Sequence, residues 1–172
     1  MTHGPVSIRP VRPEDLPAVL ALNSEAAPAV SLLNMETLRR LTAHATLAWV
    51  AIVEGAIAGY LIGFSCTAPY DGEEFGWFRS QGEAFLYVDQ IAVGKARRGR
   101  GTGTAFYSAL QAWAMRHGWP SLTCEVNLEP PNPGSLAFHL RHGFREIGRL
   151  RTADGRHVVL LRKELAGNAG QS

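Results

Sequence analysis

The stretch RRGRGTGTAF, residues 97–106, places three glycines on alternate positions among three arginines. Glycine at this density is costly to order unless the backbone must adopt conformations that a side chain would block. The apolar run FLYVDQIAV (85–93) before it predicts a buried strand, and helical spacing after it predicts a helix over 103–117. A strand, a glycine-rich turn and a helix start together favour anion binding, because main-chain N–H groups converge at the positive end of the helix dipole.

Several phosphate-binding patterns compete for this loop. A P-loop requires GxxxxGK[ST], and no lysine closes the loop here. A dinucleotide-binding turn requires G-x-G-x-x-G at the first turn of a βαβ unit, whereas these glycines follow several strands in meander. The pattern Arg/Gln-x-x-Gly-x-Gly/Ala is met by Arg98, Gly101 and Gly103 and suits a pyrophosphate. A flexible basic turn and an RNA-binding arginine patch are the alternatives, although the loop itself offers no aromatic residue for base stacking.

Composition narrows the class of protein. The 172 residues contain no evident repeat and fit one domain, predicted over 1–165, with a disordered tail over 166–172. The net charge of +2 is too small to argue for nucleic acid or an anionic membrane. No apolar run approaches the ~20 residues of a membrane span, and the first residues lack a signal-peptide layout, so we expect a cytoplasmic protein. Cys66 and Cys124 lie in separate apolar runs and are expected to be buried free thiols.

The order of predicted elements is β-α-α-β-β-β-α-β-α-β-β, which describes a mixed α/β or α+β layered domain. Proline and two acids at 13–15 favour a helix start, and Asn34 is a candidate helix cap. The pairs Glu54-Gly55 and Asp154-Gly155 predict hairpin turns. Residues 67–84, rich in glycine, acids and aromatics, are expected to form a long loop.

Three segments, in the same order along the chain, resemble the GNAT N-acetyltransferase superfamily. YVDQIAV (87–93) resembles its fourth strand, RRGRGTGTAFY (97–107) its acyl-CoA pyrophosphate loop, and NPGSLAFHLRHGF (132–144) its Asn-x-x-Ala/Ser…Gly-Phe segment. The chain is most similar to bacterial members to which no substrate is assigned. The resemblance implies a mixed, mostly antiparallel sheet of about seven strands with four helices on its two faces. It also implies an enzyme that moves an acetyl group from acetyl-CoA to a primary amine of a small molecule or a peptide.

The resemblance also assigns residues to the cofactor. Main-chain groups of Ile91, Ala92 and Val93 would bind the pantetheine arm, and the Val93 N–H would polarise the thioester carbonyl. Plain buried strand is the alternative for these residues, and an asparagine beside two prolines also suits a turn without a ligand. The implied pyrophosphate loop is Arg98, Gly99, Arg100, Gly101, Thr102, Gly103 and Thr104, and the later segment adds Asn132, Ser135 and Phe138.

The acceptor amine must lose a proton before it attacks, because a protonated alkylamine has a pKa of about 10. A general base, acting directly or through water, must take that proton. Period-two alternation places Glu83, Asp89 and Ile91 on one strand face, and Asp89 is an acid within an otherwise apolar run. By resemblance, Asp89 falls where polyamine-type members place their catalytic acid, and Glu83 nearer to where peptide-acetylating members place theirs. Asp89 is favoured over Glu83. The alternative for Asp89 is a structural partner to a buried arginine or to a backbone amide, and the alternative for Glu83 is a solvated loop end.

In the family, a tyrosine after the asparagine motif usually protonates the departing thiolate, and this chain has His139 at that position. Ser135 and His139 are four residues apart and share a helix face. An imidazolium is a competent acid, but a packing histidine and protonation by solvent stay open as alternatives. His139 and His142 have no third ligand nearby in sequence, so no metal is expected.

Two segments are expected, by family analogy, to shape the acceptor pocket: the helix junction 23–36 and the loop 67–84. Acids with aromatics would attract and enclose a cationic amine, and the alternative is a surface loop whose aromatics pack on the sheet. A non-catalytic acyl-CoA sensor and an RNA-binding module are the rival functions. Nothing in the sequence decides between a monomer and the homodimer common among relatives. The loop residues concerned are Tyr70, Asp71, Glu73, Glu74, Phe75, Trp77 and Phe78.

Overall fold

The computed structural model describes residues 4–166, so all but the first residue of the tail predicted over 166–172 lies outside the described residues. Within them the chain forms seven strands and five α-helices. The strands are β1 (Val6–Pro10), β2 (Leu47–Val53), β3 (Ala56–Ser65), β4 (Leu86–Val93), β5 (Ser121–Glu129), β6 (Arg145–Arg151) and β7 (His157–Glu164). The helices are α1 (Leu16–Ala26), α2 (Met35–His44), α3 (Glu73–Ser80), α4 (Thr102–Arg116) and α5 (Pro133–Arg141).

The strands form one sheet in the order β1-β2-β3-β4-β5-β7-β6. The pairs β1/β2, β2/β3, β5/β7 and β6/β7 are antiparallel, whereas β4 and β5 run parallel. The predicted fold class, a mixed α/β protein with a mostly antiparallel seven-stranded sheet, is therefore confirmed, with one more helix among the described residues than the four expected. That additional helix is α3.

The described residues divide into two compact units, and we describe each by itself. The first comprises 4–64 and 88–110, and the second comprises 65–87 and 111–166. The prediction of one domain over 1–165 stays a prediction.

The first unit is built around a meander of β1, β2 and β3 with the helices α1 and α2. The turn between β2 and β3 has positive φ at both central residues, 51° at Glu54 and 78° at Gly55, as the predicted hairpin requires. The predicted cap of α2 is also confirmed, because Asn34 Oδ1 accepts the Thr37 N–H at 2.8 Å. Gly59 is required by packing, since a Cβ there would lie 2.6 Å from the Ala92 carbonyl oxygen.

The second unit corrects the expectation of a long loop over 67–84. Residues Glu73–Ser80 form α3, with both acids in its first turn, where the helix dipole favours negative charge. Phe75 and Phe78 are buried at helical spacing, and their rings belong to an aromatic cluster. Gly76 in the middle of the helix hides this signal, because glycine weakens helical propensity. The cluster comprises Tyr70, Phe75, Phe78, Phe85 and Tyr87, with ring centroids 5.2–6.1 Å apart.

The acids of α3 are bound by the β6–β7 hairpin. Glu73 accepts the Ala153 N–H at 3.0 Å, and Glu74, which is buried, pairs with Arg156 at 2.9 Å. Trp77 covers Gly148 of β6, where a Cβ would lie 2.6 Å from the indole ring. These contacts hold α3 against other elements of the second unit, and a role of this stretch in binding the acceptor stays a prediction.

Two further expectations concern the thiols and the membrane. Both cysteines are free, as predicted; Cys124 is buried, whereas Cys66 is only half-buried. Among residues 4–166, no helix is both long and apolar enough to span a bilayer.

Candidate active site

Strand β4 presents the candidate base and the candidate pantetheine-binding main chain in the first unit. Asp89, Ile91 and Val93 are half-buried, whereas Gln90 and Ala92 are buried, so exposure alternates along the strand as the period-two pattern predicted. Burial raises the pKa of the Tyr60 hydroxyl to about 12, and the charge of Asp89, in the same unit, adds to that effect. Asp89 therefore lies on the more accessible face of a strand whose other face is packed.

The segment after β4 is fastened to the first unit before it reaches the glycines. The Gly94 N–H donates to the Ala58 carbonyl at 2.9 Å, and the Lys95 N–H donates to the Glu25 carboxylate at 2.9 Å. Arg97 pairs with Glu54 at 2.9 Å. The Arg98 Nε donates to the Val93 carbonyl at 3.2 Å, so the Arg98 side chain closes the end of the strand while its main chain enters the loop.

The glycine loop itself adopts conformations that favour glycine. Gly99 has a φ of 71° and Gly101 a φ of 84°, and a Cβ at either position would meet open space. These glycines are therefore required for backbone conformation rather than for room. The Gly101 carbonyl accepts the Ala105 N–H at 2.9 Å, which begins α4. The first N–H groups of an α-helix have no acceptor within the helix, so this exposed turn offers donors at the positive end of the dipole and fits a pyrophosphate.

In the second unit, Asn132 occupies the helix-cap position of α5. Its Oδ1 accepts the Ser135 N–H at 3.4 Å, and its own N–H donates to the Asn127 carbonyl at 3.1 Å. The structure thus shows Asn132 in a capping turn, and its contact with a cofactor stays a prediction. Ser135 and Phe138 are both half-buried on this helix.

His139 is buried, with 3% of its surface exposed. Its Nδ1 lies 2.7 Å from the Ser135 carbonyl oxygen and 3.3 Å from the Ser135 hydroxyl, so Nδ1 carries the proton of the neutral ring. The rings of Phe138 and Phe144 meet it edge to face. Burial lowers the pKa of His139, the bond to the Ser135 carbonyl opposes that effect, and the charge of His142 adds to it. The neutral imidazole is therefore favoured in the folded protein.

Glu83 precedes β4 and is 63% exposed at its side chain, yet it forms an ion pair with Arg162 of β7, which is only 5% exposed. Two guanidinium nitrogens of Arg162, Nε and Nη2, are buried without a hydrogen-bond partner in the described residues. Glu83 thus supplies a negative charge to a buried cation, a structural role that the sequence did not indicate.

Sequence reasoning missed two polar features of the strands. In the second unit, the Tyr87 hydroxyl donates to Glu125 Oε2 at 2.6 Å. In the first unit, Gln90 is buried in a polar cluster with Asn23 and Tyr60. The usable signal was a polar residue within an apolar strand run, the same signal that singled out Asp89. Within 4–166, no group of three or more His, Cys, Asp or Glu side chains is arranged to hold a metal ion.

Comparison with known proteins places these features in context. A model of the acetyltransferase (GNAT) family matches residues 16–144, which is more than half of the chain. The L-2,4-diaminobutyric acid acetyltransferase of Nocardia farcinica (strain IFM 10152) is 33% identical over 104 residues, 60% of this chain. The matched segment spans 44% of that relative's own length.

Solved structures match over almost the whole chain. The ribosomal-protein-S18-alanine N-acetyltransferase from Escherichia coli superimposes with a TM-score of 0.74 at 19% identity, covering 98% of each chain. The yncA structure from Salmonella typhimurium, solved with its cofactor acetyl-CoA, matches with a TM-score of 0.69 at 15% identity, covering 98% of this chain and 99% of that one. At these identities the structures show a shared fold.

Proposed function

Because the chain belongs to the acetyltransferase (GNAT) family, whose members are N-acetyltransferase enzymes, we propose that it moves an acetyl group from acetyl-CoA to a primary amine by direct attack on the thioester. The observation that carries the proposal is the loop between β4 and α4. Its two positive-φ glycines and the first turn of α4 offer main-chain donors to a pyrophosphate, at the end of the strand that holds the candidate base.

The donor is held mainly by main chain. The loop residues 98–104 bind the pyrophosphate, and Ile91, Ala92 and Val93 bind the pantetheine arm through their backbone. Acetyl-CoA supplies the activated acyl group as a thioester. The Val93 N–H donates to the thioester carbonyl oxygen, where negative charge develops during attack. By the family resemblance alone, Asn132, Ser135 and Phe138 are also proposed to contact the cofactor.

Asp89 accepts the proton of the acceptor ammonium, directly or through one water molecule, and leaves a neutral amine. The amine nitrogen then forms a bond to the acetyl carbon as the carbon–sulfur bond breaks. The nitrogen then releases a second proton to solvent, and the departing thiolate takes up one proton, so the products are an amide and free CoA. Glu83 is the second candidate base; its ion pair with Arg162 disfavours it, because taking a proton would remove the charge that compensates a buried guanidinium.

The last proton comes either from solvent or from His139, which stands at the position of the family's usual tyrosine donor. Burial lowers its pKa, so an imidazolium is disfavoured before the reaction. Its Nδ1 proton is already donated to the Ser135 carbonyl. These two facts support solvent over His139 as the source of the proton.

Two observations bear on the acceptor: the interactions of the α3 acids and the name of a relative. Both acids of α3 are bound by the β6–β7 hairpin, which leaves the helix junction 23–36 as the better supported acceptor segment. The curated relative acts on a small diamine acid by its name, so a diamine is the first acceptor to test, followed by peptides with a free N-terminus.

The deciding experiment measures acetyl-CoA binding by calorimetry and thiol release with a panel of amines. Gly101→Ala should weaken acetyl-CoA binding about tenfold or more, because alanine resists a φ of 84° and the loop amides would move. Gly55→Ala is the matched control, since Gly55 also has positive φ and open space around it but lies in the β2–β3 turn.

Equal loss of acetyl-CoA affinity in the two variants would mean that general destabilisation, rather than the loop, is responsible. Tight acetyl-CoA binding with no turnover on any amine would favour the rival function, a non-catalytic acyl-CoA sensor. Absence of acetyl-CoA binding by the unmodified protein would overturn the proposal.

A further inference from the structure

The buried guanidinium of Arg162 on β7 uses only one of its nitrogens within the described residues. Nη1 pairs with Glu83, whereas Nε and Nη2 are buried and have no hydrogen-bond partner in residues 4–166. Nε and Nη2 lie side by side on the planar group, and their parallel N–H groups match a single acceptor or the two oxygens of a carboxylate. We call this pair of N–H groups the Arg162 edge.

A third buried polar atom lies beside the Arg162 edge. Thr123 of β5 is the register partner of Arg162 in the antiparallel β5/β7 pair, so the two side chains share a sheet face, with Cβ atoms about 4.5–5.5 Å apart. Thr123 is 0% exposed and Arg162 is 4% exposed. Within residues 4–166 the Thr123 hydroxyl has no hydrogen-bond partner either. Neighbouring donors on two strands are thus buried without an acceptor, which costs free energy at each of them.

Positive charge is concentrated on the same sheet face. Arg145 of β6 is the register partner of Arg162 in the β6/β7 pair, so two guanidinium groups lie on neighbouring strands. Like charges directly opposite each other destabilise a sheet. The carboxylates paired with them, Glu83 and Glu164, are 63% and 56% exposed at their side chains, so water screens their charge. This face therefore attracts negative charge to the buried groups.

The chemistry of these groups selects an anion. Several donors next to two positive charges disfavour a metal cation. A water molecule would accept from the Arg162 edge but would bring no charge to compensate the buried guanidinium. A small anion accepts the same hydrogen bonds and also supplies that charge. Because the donor atoms are buried, chloride or formate is favoured over a larger anion such as gluconate.

We propose that the Arg162 edge and the Thr123 hydroxyl bind one small monovalent anion inside the second unit, either chloride or a carboxylate of the size of formate. The anion accepts from Nε, from Nη2 and from the Thr123 hydroxyl, and it compensates the buried charge together with Glu83. This site goes beyond the proposed function, because it requires neither acetyl-CoA nor an amine. It stabilises the folded state by mass action, since only folding brings β5 and β7 together.

Urea unfolding of the wild-type protein at constant ionic strength tests the site. Sodium chloride or sodium formate replaces sodium gluconate stepwise, and gluconate serves as the anion that is too large to enter. We expect the folding equilibrium constant to rise about tenfold when the anion is present at about ten times its Kd, along a one-site binding curve. A response to one of the two anions, or to both, supports the inference and identifies the anion.

Two variants separate binding at the Arg162 edge from a general salt effect. Arg162→Lys keeps the charge that pairs with Glu83 but removes the parallel N–H groups, and Thr123→Val keeps the buried volume but removes the hydroxyl. Each should weaken anion binding about tenfold or more. Arg151→Met, at a β6 arginine whose side chain is 67% exposed, is the control and should keep the wild-type response.

Thr123→Val has a second expected signature. In gluconate it should be more stable than the wild-type protein, because it removes a buried hydroxyl that has no partner within residues 4–166. That advantage should shrink as chloride or formate is added, since only the wild-type protein then gains the full set of hydrogen bonds. This comparison also keeps the inference testable if Arg162→Lys does not fold.

Crystals of the wild-type protein grown with bromide provide a direct readout. Anomalous scattering should locate one bromide within hydrogen-bonding distance of Arg162 Nε and Nη2. Equal stability of the wild-type protein in all three salts would overturn the inference, and so would an anion response that both variants retain. None of these measurements involves acetyl-CoA or an amine, so either result leaves the proposed function to its own experiment.

Discussion

The candidate functional residues of the two units differ in the interactions that they form within the fold. In the first unit the candidates are a half-buried acid on β4 and a loop whose main chain is held at positive φ. In the second unit, three candidate side chains already form structural interactions. Glu83 pairs with a buried guanidinium, Asn132 caps α5, and His139 donates to the Ser135 carbonyl. For Glu83 and His139, reaction would disturb a structural interaction, so variants at these two positions must be measured for stability as well as for activity.

The largest effect should come from Asp89→Asn. We expect kcat to fall by about 10²–10⁴-fold, because an amide cannot accept the ammonium proton. The acetyl-CoA Kd should stay within about twofold, since the loop is untouched. Steady-state kinetics and calorimetry measure the two quantities. Glu164→Gln, an exposed acid on β7, is the control, and an Asp89→Asn enzyme with full kcat would move the base elsewhere.

Glu83→Gln should act on stability instead. Removing the charge leaves the buried Arg162 uncompensated, and we expect the free energy of unfolding to fall by about 1–2 kcal/mol, less than for a fully buried pair because Glu83 is 63% exposed. The double variant with Arg162→Met should recover most of that loss, because no buried cation remains. Denaturant unfolding measures both variants.

The same variants also show which of the two acids, Asp89 or Glu83, is the general base. If Glu83→Gln lowers kcat as strongly as Asp89→Asn does, and the stabilised double variant does not restore it, then the second unit supplies the base. Glu83 would then combine a structural and a catalytic role.

The smallest effect concerns His139. Burial lowers the pKa of His139 in the folded state, so the unfolded chain binds more protons as the pH falls. The contribution of His139 to the free energy of unfolding is therefore full above about pH 6.5 and decreases as the pH falls below that value. His139→Phe should flatten this part of the stability–pH curve, measured by urea unfolding at several pH values. His44→Ala, at an exposed histidine, is the control. A kcat with an unchanged pH profile in His139→Phe would assign the thiolate proton to solvent.

The sequence predicted the order of most elements and the family, but not α3. The turn at Glu54-Gly55 and the cap at Asn34 depend on interactions between residues that are close in sequence. A short stretch of sequence is therefore enough to predict them. The composition of 67–84 predicts a loop, because glycine and acidic residues such as those around Gly76 are typical of loops. Its helix depends on burial of Phe75 and Phe78 and on the hairpin that binds both acids, which are contacts between distant parts of the chain.

The sequence by itself determined what depends on local backbone chemistry: the glycines that permit positive φ, the alternation along β4 and the motif order that identifies the family. Only the tertiary structure determines which polar residues form buried hydrogen bonds and ion pairs. Asn23, Tyr60 and Gln90 lie 30 to 67 residues apart along the chain, and Glu83 and Arg162 lie 79 apart. The physical reason is that burial and charge pairing are set by neighbours in space, which residue spacing along the chain does not specify.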